Sequence, residues 1–519
     1  MMGYRRTSGA PYPERGACIK KWRDRIPVCI VFPNTYYIGM SNLAVHLLYK
    51  TLNDIPEIVC ERAFLEEGET VLSVEGRRPL ASFECLFFTI SFELDYINII
   101  RTLRQSRISL LSRDRKEGEP LVVAGGILVM ANPEPLYRYF DLFLMGDIEA
   151  VIPEFIDYYI DKRGRRRSDV VDGASVFRWV YNPDRLDVEY REDGQIGSFM
   201  PEGFRVYINR YRGETLGRSI IYTDNTEFSN MLLIEGARGC PSRCGFCLLG
   251  NIYDVIFDRI GDIPEGIKDI GLIGGGISFH PNLEEIVSEY TKKGINVHFP
   301  SLRIDRTPLS VIELVSHSVK TLTFGIEAGT EHLRAYLGKP IEDRDIFEKI
   351  ASIMEIKPFN IKLYFMIGVP GEQRHDIESI IELTKKIKHI MIKEGAKKGA
   401  VGSITIHVSP FVPKPATPFQ RVAMEEPLDL KAKLGYLKKA FGKIGNTFFT
   451  HESVKYSYIQ AVLARGDRRV ADIIGLLSDG VGINRIMREN PVNLNFYALR
   501  ERFKEEVLPW DFIETKTQP

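Results

Sequence analysis

The sequence contains no apolar run of the roughly 18–20 residues that a membrane-spanning helix needs, so no membrane segment is expected. Its opening stretch, MMGYRRTSGAPYPERG, lacks the apolar core and small-residue cleavage site of a secretory signal. Neither sign of charge is in excess: 69 Lys and Arg face 69 Asp and Glu. No global field therefore draws nucleic acid or an anionic surface, and such a partner would need a local patch. Cysteine is scarce, with seven in 519 residues, and three of them crowd together while Cys18, Cys29, Cys60 and Cys85 are scattered through the first hundred. That pattern excludes a disulfide framework, and together these absences predict a cytoplasmic protein. Cys29 and Cys85 sit inside apolar runs and read as buried small hydrophobes.

What is present is a globular balance of 44% hydrophobic and 27% charged residues, over a length that calls for about three units. Residues 1–162 alternate short apolar runs with amphipathic stretches. IPVCIVFPN (26–34), ECLFFTIS (84–91), PLVVAGG (120–126) and DLFLMGD (141–147) read as strands, separated by helices over 40–54, around Tyr96–Gln105, near Pro133 and up to Ile160. This is the pattern of a Rossmann-like, doubly wound parallel sheet. Ligands of such sheets bind outside the carboxyl ends of the strands, here the loops Pro33–Asn42, Ser91–Asp95, Gly125–Asn132 and Gly146–Glu149. Residues 163–230 read as a linker. The basic run from Lys162 through Arg163, Arg165 and Arg166 to Arg167 is a solvated hinge in this reading, with RNA contact as the alternative.

From Met231 the alternation restarts. Six strands are predicted, MLLIEG (231–236), KDIGLIGG (268–275), NVHFPS (296–301), VKTLTFGI (319–326), NIKLYFMIG (360–368) and SITIHVS (403–409), with amphipathic helices such as 281–294 and 374–391 between them. Six units are too few for a closed eight-stranded barrel. The expectation for 231–420 is a partial (βα)6 barrel of the TIM type, open on one side to a large substrate, with its site at the carboxyl ends of the strands. Residues 421–519 lack β character and read as helical, for example 427–444 and 456–465.

The strongest chemical signal is GARGCPSRCGFCLLG (236–250), which puts Cys240, Cys244 and Cys247 directly after the first barrel strand. Three thiolates with no nearby fourth cysteine or histidine do not complete a tetrahedral zinc site. A ferredoxin-type cluster also wants four cysteines. An incomplete set instead leaves one iron of a cluster open for chemistry. Structural zinc binding or reactive thiols remain the alternatives.

This loop resembles the C-x3-C-x2-C motif of the radical S-adenosylmethionine (SAM) superfamily, with an aromatic, Phe246, before the last cysteine. The resemblance implies that Cys240, Cys244 and Cys247 hold three irons of a 4Fe-4S cluster while the amino and carboxylate groups of SAM chelate the fourth. Reductive cleavage would then yield methionine and a 5′-deoxyadenosyl radical that abstracts hydrogen, with an electron donor such as flavodoxin or ferredoxin. It implies that Phe246 packs near the adenine. Gly274, Gly275 and Gly276 correspond to a G-G-E-like segment that meets the methionine amino group, although no acid follows them here and Ser278 is the nearest polar side chain. Ser301 and Arg303 end the third strand, where cofactor-facing groups are expected. Glu327 matches a position that reaches the ribose or methionine portion, and is otherwise an acid at a helix N-terminus. Gly368, in GVPGE, matches the segment bordering the adenine, whereas His407 reads as a satisfied strand residue.

The first domain resembles the cobalamin-binding fold that precedes many radical SAM domains. The D-x-H-x-x-G motif that supplies a lower axial histidine would fall on Asn34–Gly39, where Tyr36 replaces the imidazole and Asn34 the acid; His46 reads as packed inside the next helix. Cobalamin would bind without a protein ligand, or the domain has lost it. Stretches such as SFELDYINIIRTL, VSPFVPKPATPFQ, AVLARGDRRVADII and LPWDF extend the resemblance nearly end to end. It implies fold and cofactors but no substrate, so a macromolecular substrate stays open. The loop VPKPATPFQ (412–420) shapes substrate access or caps the barrel. Arg465, Asp467, Arg468 and Arg469 line a polar site or, more blandly, form a helix-boundary ion network. Three function classes follow: a radical SAM enzyme, a cobalamin-dependent radical SAM methyltransferase, and a metal-stabilised RNA-binding or scaffold protein.

Overall fold

The computed structural model describes residues 12–68 and 70–515; the opening stretch read for a secretory signal lies outside them up to residue 11. Among the described residues no helix is long and apolar enough to cross a membrane.

The first unit is a six-stranded sheet built from β1 (Ile26–Phe32), β2 (Ile58–Phe64), β3 (Cys85–Thr89), β4 (Leu121–Gly125), β5 (Leu142–Leu144) and β6 (Val180–Tyr181). Its order is β2-β1-β3-β4-β5-β6, with all neighbours parallel except β6, which runs antiparallel to β5. Strands covered on both faces read as continuous apolar runs. Thus Val28, Ile30 and Phe32 of β1 share an apolar cluster with helices α1 (Leu43–Asp54) and α3 (Ile148–Lys162). Cys29 and Val31 instead join the cluster of α2 (Asp95–Gln105). Cys29 and Cys85 are buried as expected, and burial pushes both thiols up. Strand β2 escaped the sequence because Glu61 and Arg62 interrupt its apolar run. Arg62 is nonetheless fully buried, its charge met by Glu14 and Glu75, each at 2.7 Å.

All six barrel strands form: β7 (Leu232–Glu235), β8 (Asp269–Ile273), β9 (Asn296–His298), β10 (Thr321–Glu327), β11 (Asn360–Ile367) and β12 (Ile404–Pro410). A seventh, β13 (Thr447–His451), lies parallel to β12. It corrects the reading that the last hundred residues lack β character; it is the edge strand of its sheet, and its Phe448 is exposed. Strands β7–β9 and β10–β13 are two parallel sheets joined by one isolated bridge, Leu302 beside Phe324. No closed barrel results. On β10 to β12 alternate residues differ in burial: Leu322, Phe324, Leu363 and Ile406 face the helices, while Glu327, Tyr364 and His407 face the open interior.

The chain beyond the barrel returns to the first domain. Helix α7 (Val454–Arg465) precedes α8 (Val470–Ser478), which packs on α2. Tyr139 donates to the Ala471 carbonyl at 2.6 Å, and Arg104 to Ser478 Oγ at 2.8 Å. The charges at the α7–α8 boundary form the blander ion network: Arg468 holds Glu134 at 2.8 Å and Arg469 holds Asp467 at 2.6 Å. The basic run is likewise spent inside the chain, since Lys162, Arg163, Arg166 and Arg167 pair with Asp161, Glu84, Asp169 and Asp141.

Candidate functional site

Between β7 and a short helix, Leu248–Ile252, the chain folds into a compact loop that carries the three cysteines. Cys244 is buried, and Cys240 and Cys247 are half-buried. Asn251 donates to the carbonyls of Cys244 (3.0 Å) and Cys247 (2.7 Å), tying both turns to one side chain. The loop is buttressed from outside: Gly245 N–H bonds Leu337 O at 3.0 Å, and Phe419 N–H bonds Gly245 O at 3.1 Å. The VPKPATPFQ loop thereby packs against the cysteine loop. Burial pushes the Cys244 thiol up to about 11, opposed by the ammonium of Lys339. Burial also raises the Cys247 thiol, while the N–H groups of Gly250 and Leu249 pull it back.

Three thiolates on one tetrahedral zinc lie ~3.8 Å apart. Among the described residues, only His332, His375 and Asp376 bring three such donor atoms within 4.8 Å of one another. The three cysteine sulfurs are not part of such a group.

The glycines after β8 let this loop come close. A Cβ on Gly274 would stand 2.3 Å from Ala237 O, and one on Gly276 would stand 2.9 Å from Gly239 O. Gly275 faces Leu249. Ser278 is buried and engaged: it accepts from Arg303 N–H at 2.9 Å and from Thr307 at 3.1 Å. The Arg303 side chain reaches Asp305 at 2.8 Å and donates to Ser242 of the cysteine loop. Phe246 packs on the apolar group around Leu333, Leu337 and Val369. Glu327 is the last residue of β10, held at φ 74° and ion-paired with Lys339 at 2.7 Å; it is not at a helix N-terminus. Gly368 N–H bonds Glu372, which Lys433 neutralises. His407 is satisfied by Thr450 at 2.9 Å.

A cavity of about 460 Å³ lies where the two domains face each other. Gly274, Gly275 and Ser301 line it from the barrel, and all four of the first domain's strand-end loops reach it, for example through Asn42, Ser91, Gly126 and Glu149. The switch point of a 2-1-3-4-5 sheet lies between β1 and β3, where ligands of such sheets bind. Leu47, Phe87, Ile127, Leu144 and Ile148 make the wall apolar. One end is charged: Arg238 meets Glu149 at 2.8 Å, Glu235 at 2.7 Å and Asp147 at 3.5 Å. Sequence reasoning missed this network. Its signal was the placing of Asp147, Glu149 and Glu235 at strand carboxyl ends, and of Arg238 two residues before Cys240.

Two sequence patterns match. Residues 234–384 match the Radical SAM superfamily, and residues 44–183 match the pattern described as Radical SAM proteins, N-terminal. An uncharacterized protein of Methanocaldococcus jannaschii is 30% identical over 457 residues, covering 86% of this chain and 89% of its own. The chain belongs to the radical SAM superfamily. It is an enzyme of that group, and the fold implies a 4Fe-4S cluster and SAM. A Pyrococcus horikoshii protein named as an uncharacterized methyltransferase is 23% identical, over 51% of this chain and 58% of its own. The ribosomal protein uS12 methylthiotransferase RimO of Clostridium botulinum is 25% identical, over 30% of this chain and 40% of its own. Among solved structures, the cobalamin-dependent SAM radical enzyme OxsB with aqua-cobalamin bound is similar at 12% identity and TM-score 0.44, over 69% of this chain; this chain spans about half of OxsB there, 52%.

A lower axial ligand for cobalamin does not fit this radical SAM chain. Tyr36 is fully buried, stacked on Tyr12 at 3.7 Å, and donates its hydroxyl to Glu14. Asn34 is engaged with Asp95 at 2.8 Å. His46 faces Met40 O at 3.0 Å, and burial lowers its pKa to about 4. Neither Tyr36 nor His46 lines the cavity.

Proposed function

We propose that Cys240, Cys244 and Cys247 ligate three irons of a 4Fe-4S cluster and that the chain cleaves SAM reductively to act on an apolar substrate group by a radical route. The observation that carries this is the cysteine loop: three cysteines within eight residues, held in one compact loop at the mouth of an open barrel beside the glycine turn after β8. When bound, the cluster and SAM supply the electron and the adenosyl radical.

The chain's own residues bind, orient and exclude water. Asn251 and Phe419 fix the loop, and the glycines at 274–276 let backbone approach the methionine end. Ser301 and Glu327 present polar groups from the third and fourth strands, and Phe246 and Gly368 border the adenine side. Arg303 acts one step removed, by anchoring Ser242. An electron donor of the flavodoxin or ferredoxin kind, in the cytoplasm, fits this scheme.

The test is anaerobic reconstitution, dithionite reduction and assay of 5′-deoxyadenosine. Wild type is expected to form it; Cys244→Ala is expected to lose the cluster and at least ~1000-fold of the activity, the scale of losing an essential catalytic group. Wild-type protein that holds no iron and forms no 5′-deoxyadenosine overturns the reading.

A second reading, a cobalamin-dependent methyltransferase, is favoured by the apolar cavity at the switch point, although neither Tyr36 nor His46 supplies a lower axial ligand there. It requires a corrinoid absorption band after reconstitution, unchanged in Tyr36→Phe. An RNA-binding or scaffold role would rest on the basic run, four of whose cations already have carboxylate partners.

A further inference from the structure

Beside the barrel mouth, the loop after β10 leads into helix α5 (Glu331–Tyr336), and the loop after β11 leads into α6 (Arg374–Ala396). The loop after β10 touches the first turn of α6: a Cβ on Gly329 would stand 2.3 Å from Asp376 O. Three metal-ligating side chains converge there. Asp376 is buried, with 1% of its side chain exposed, whereas His332 and His375 are 62% and 61% exposed. Asp376 Oδ1 lies 3.8 Å from His332 Nδ1 and 3.4 Å from His375 Nε2, and all three donor atoms fall within 4.8 Å of one another.

We propose that His332, His375 and Asp376 form a site for a borderline divalent cation of the zinc class, which clips the β10–α5 loop to the β11–α6 loop. Two donors each ~2.1 Å from one tetrahedral ion lie ~3.4 Å apart, so the nitrogens already stand close to ligand spacing from the carboxylate oxygen. They stand too far for a hydrogen bond, which closes at ~2.7–3.2 Å. The carboxylate is pre-aimed. Gln373 N–H donates to Oδ2 at 2.7 Å, completing a capping box, and the Thr330 hydroxyl donates to Oδ1. Carboxylate ligands held by such outer partners are the norm in metal sites. Two imidazoles and one carboxylate suit zinc, nickel, cobalt or iron(II) better than magnesium and calcium, which prefer all-oxygen shells, or copper(I), which prefers sulfur. The helix dipole at the start of α6 opposes a cation, but it is offset by the Asp376 charge. The exposed side of the imidazoles leaves the fourth position to water. Because Glu327 and Gly368 begin the two clipped loops, the ion would brace the barrel rim without joining the chemistry.

The test dialyses iron-loaded protein anaerobically against buffered zinc and counts zinc and iron per chain. Wild type is expected to take up one zinc and to melt at a higher temperature with it. His332→Ala/His375→Ala should lose more than roughly 100-fold in zinc affinity, beyond the loss of an outer-shell partner, with iron content unchanged. Both substituted side chains are largely exposed, so this variant tests the site and not the fold. Cys244→Ala, which removes the iron, should keep the zinc, so failure of the cluster assignment and failure of this one are separable. Equal zinc in wild type and the double variant, or none in wild type, overturns the proposal.

Discussion

His46 is a buried imidazole that stays neutral, and this makes stability depend on pH in a calculable direction. Burial lowers its pKa to about 4 in the folded chain, against ~6.5 unfolded. Its contribution is therefore complete above pH 6.5 and is lost as pH falls toward 4, because the unfolded chain takes up the proton first. The difference amounts to roughly 3 kcal/mol. His46→Gln is expected to flatten the fall in the urea midpoint between pH 6.5 and 4; an unchanged slope would refute the assignment. Residues of this kind were only partly legible in the sequence. The three cysteines were readable because their loop is local, all three lying within eight positions. The Arg238 network was not, because its carboxylates come from the ends of two strands, β5 and β7, in two domains and no spacing links them.

At the scale of elements, α8 matters more than its position in the last hundred residues suggests. Ile473 and Ile474 are fully buried in the apolar cluster that also holds Ile99, Ile100 and Leu103 of α2. Ile474→Ala should cost about 2–5 kcal/mol, read as a lower urea midpoint, and should speed proteolysis between the first domain and α8. The strands explain which elements sequence can show. Those with uninterrupted apolar or alternating patterns, β1, β3, β4, β5 and the six of the barrel, were legible from periodicity. Strand β2 was hidden by a buried Arg62 whose cost is met by glutamates from residues 14 and 75, a pairing that only the fold creates. Strand β13 was hidden because an edge strand needs few apolar residues.

For the whole molecule the decisive contact is Glu93, from the first domain. It is buried to 1% exposure and receives Lys414 of the VPKPATPFQ loop and Gln460 of α7, the latter at 2.8 Å. One carboxylate thus joins both domains and the C-terminal helices. Lys414→Ala leaves that charge without its cation and should cost ~3–5 kcal/mol. The pair Glu93→Gln with Lys414→Met should recover most of it, a double-mutant cycle read by thermal melting; equal losses in both variants would refute a paired charge. Nothing in the sequence linked residue 93 to 414 or 460. The barrel wall carries the opposite kind of contact. Between β9 and β10 one isolated bridge at Leu302 does what full ladders do elsewhere. In mechanical terms the wall is two boards on a single pin, with Ser301 and Arg303 on either side of it. Ser301 also lines the cavity, so the seam between the two boards runs along the edge of that space.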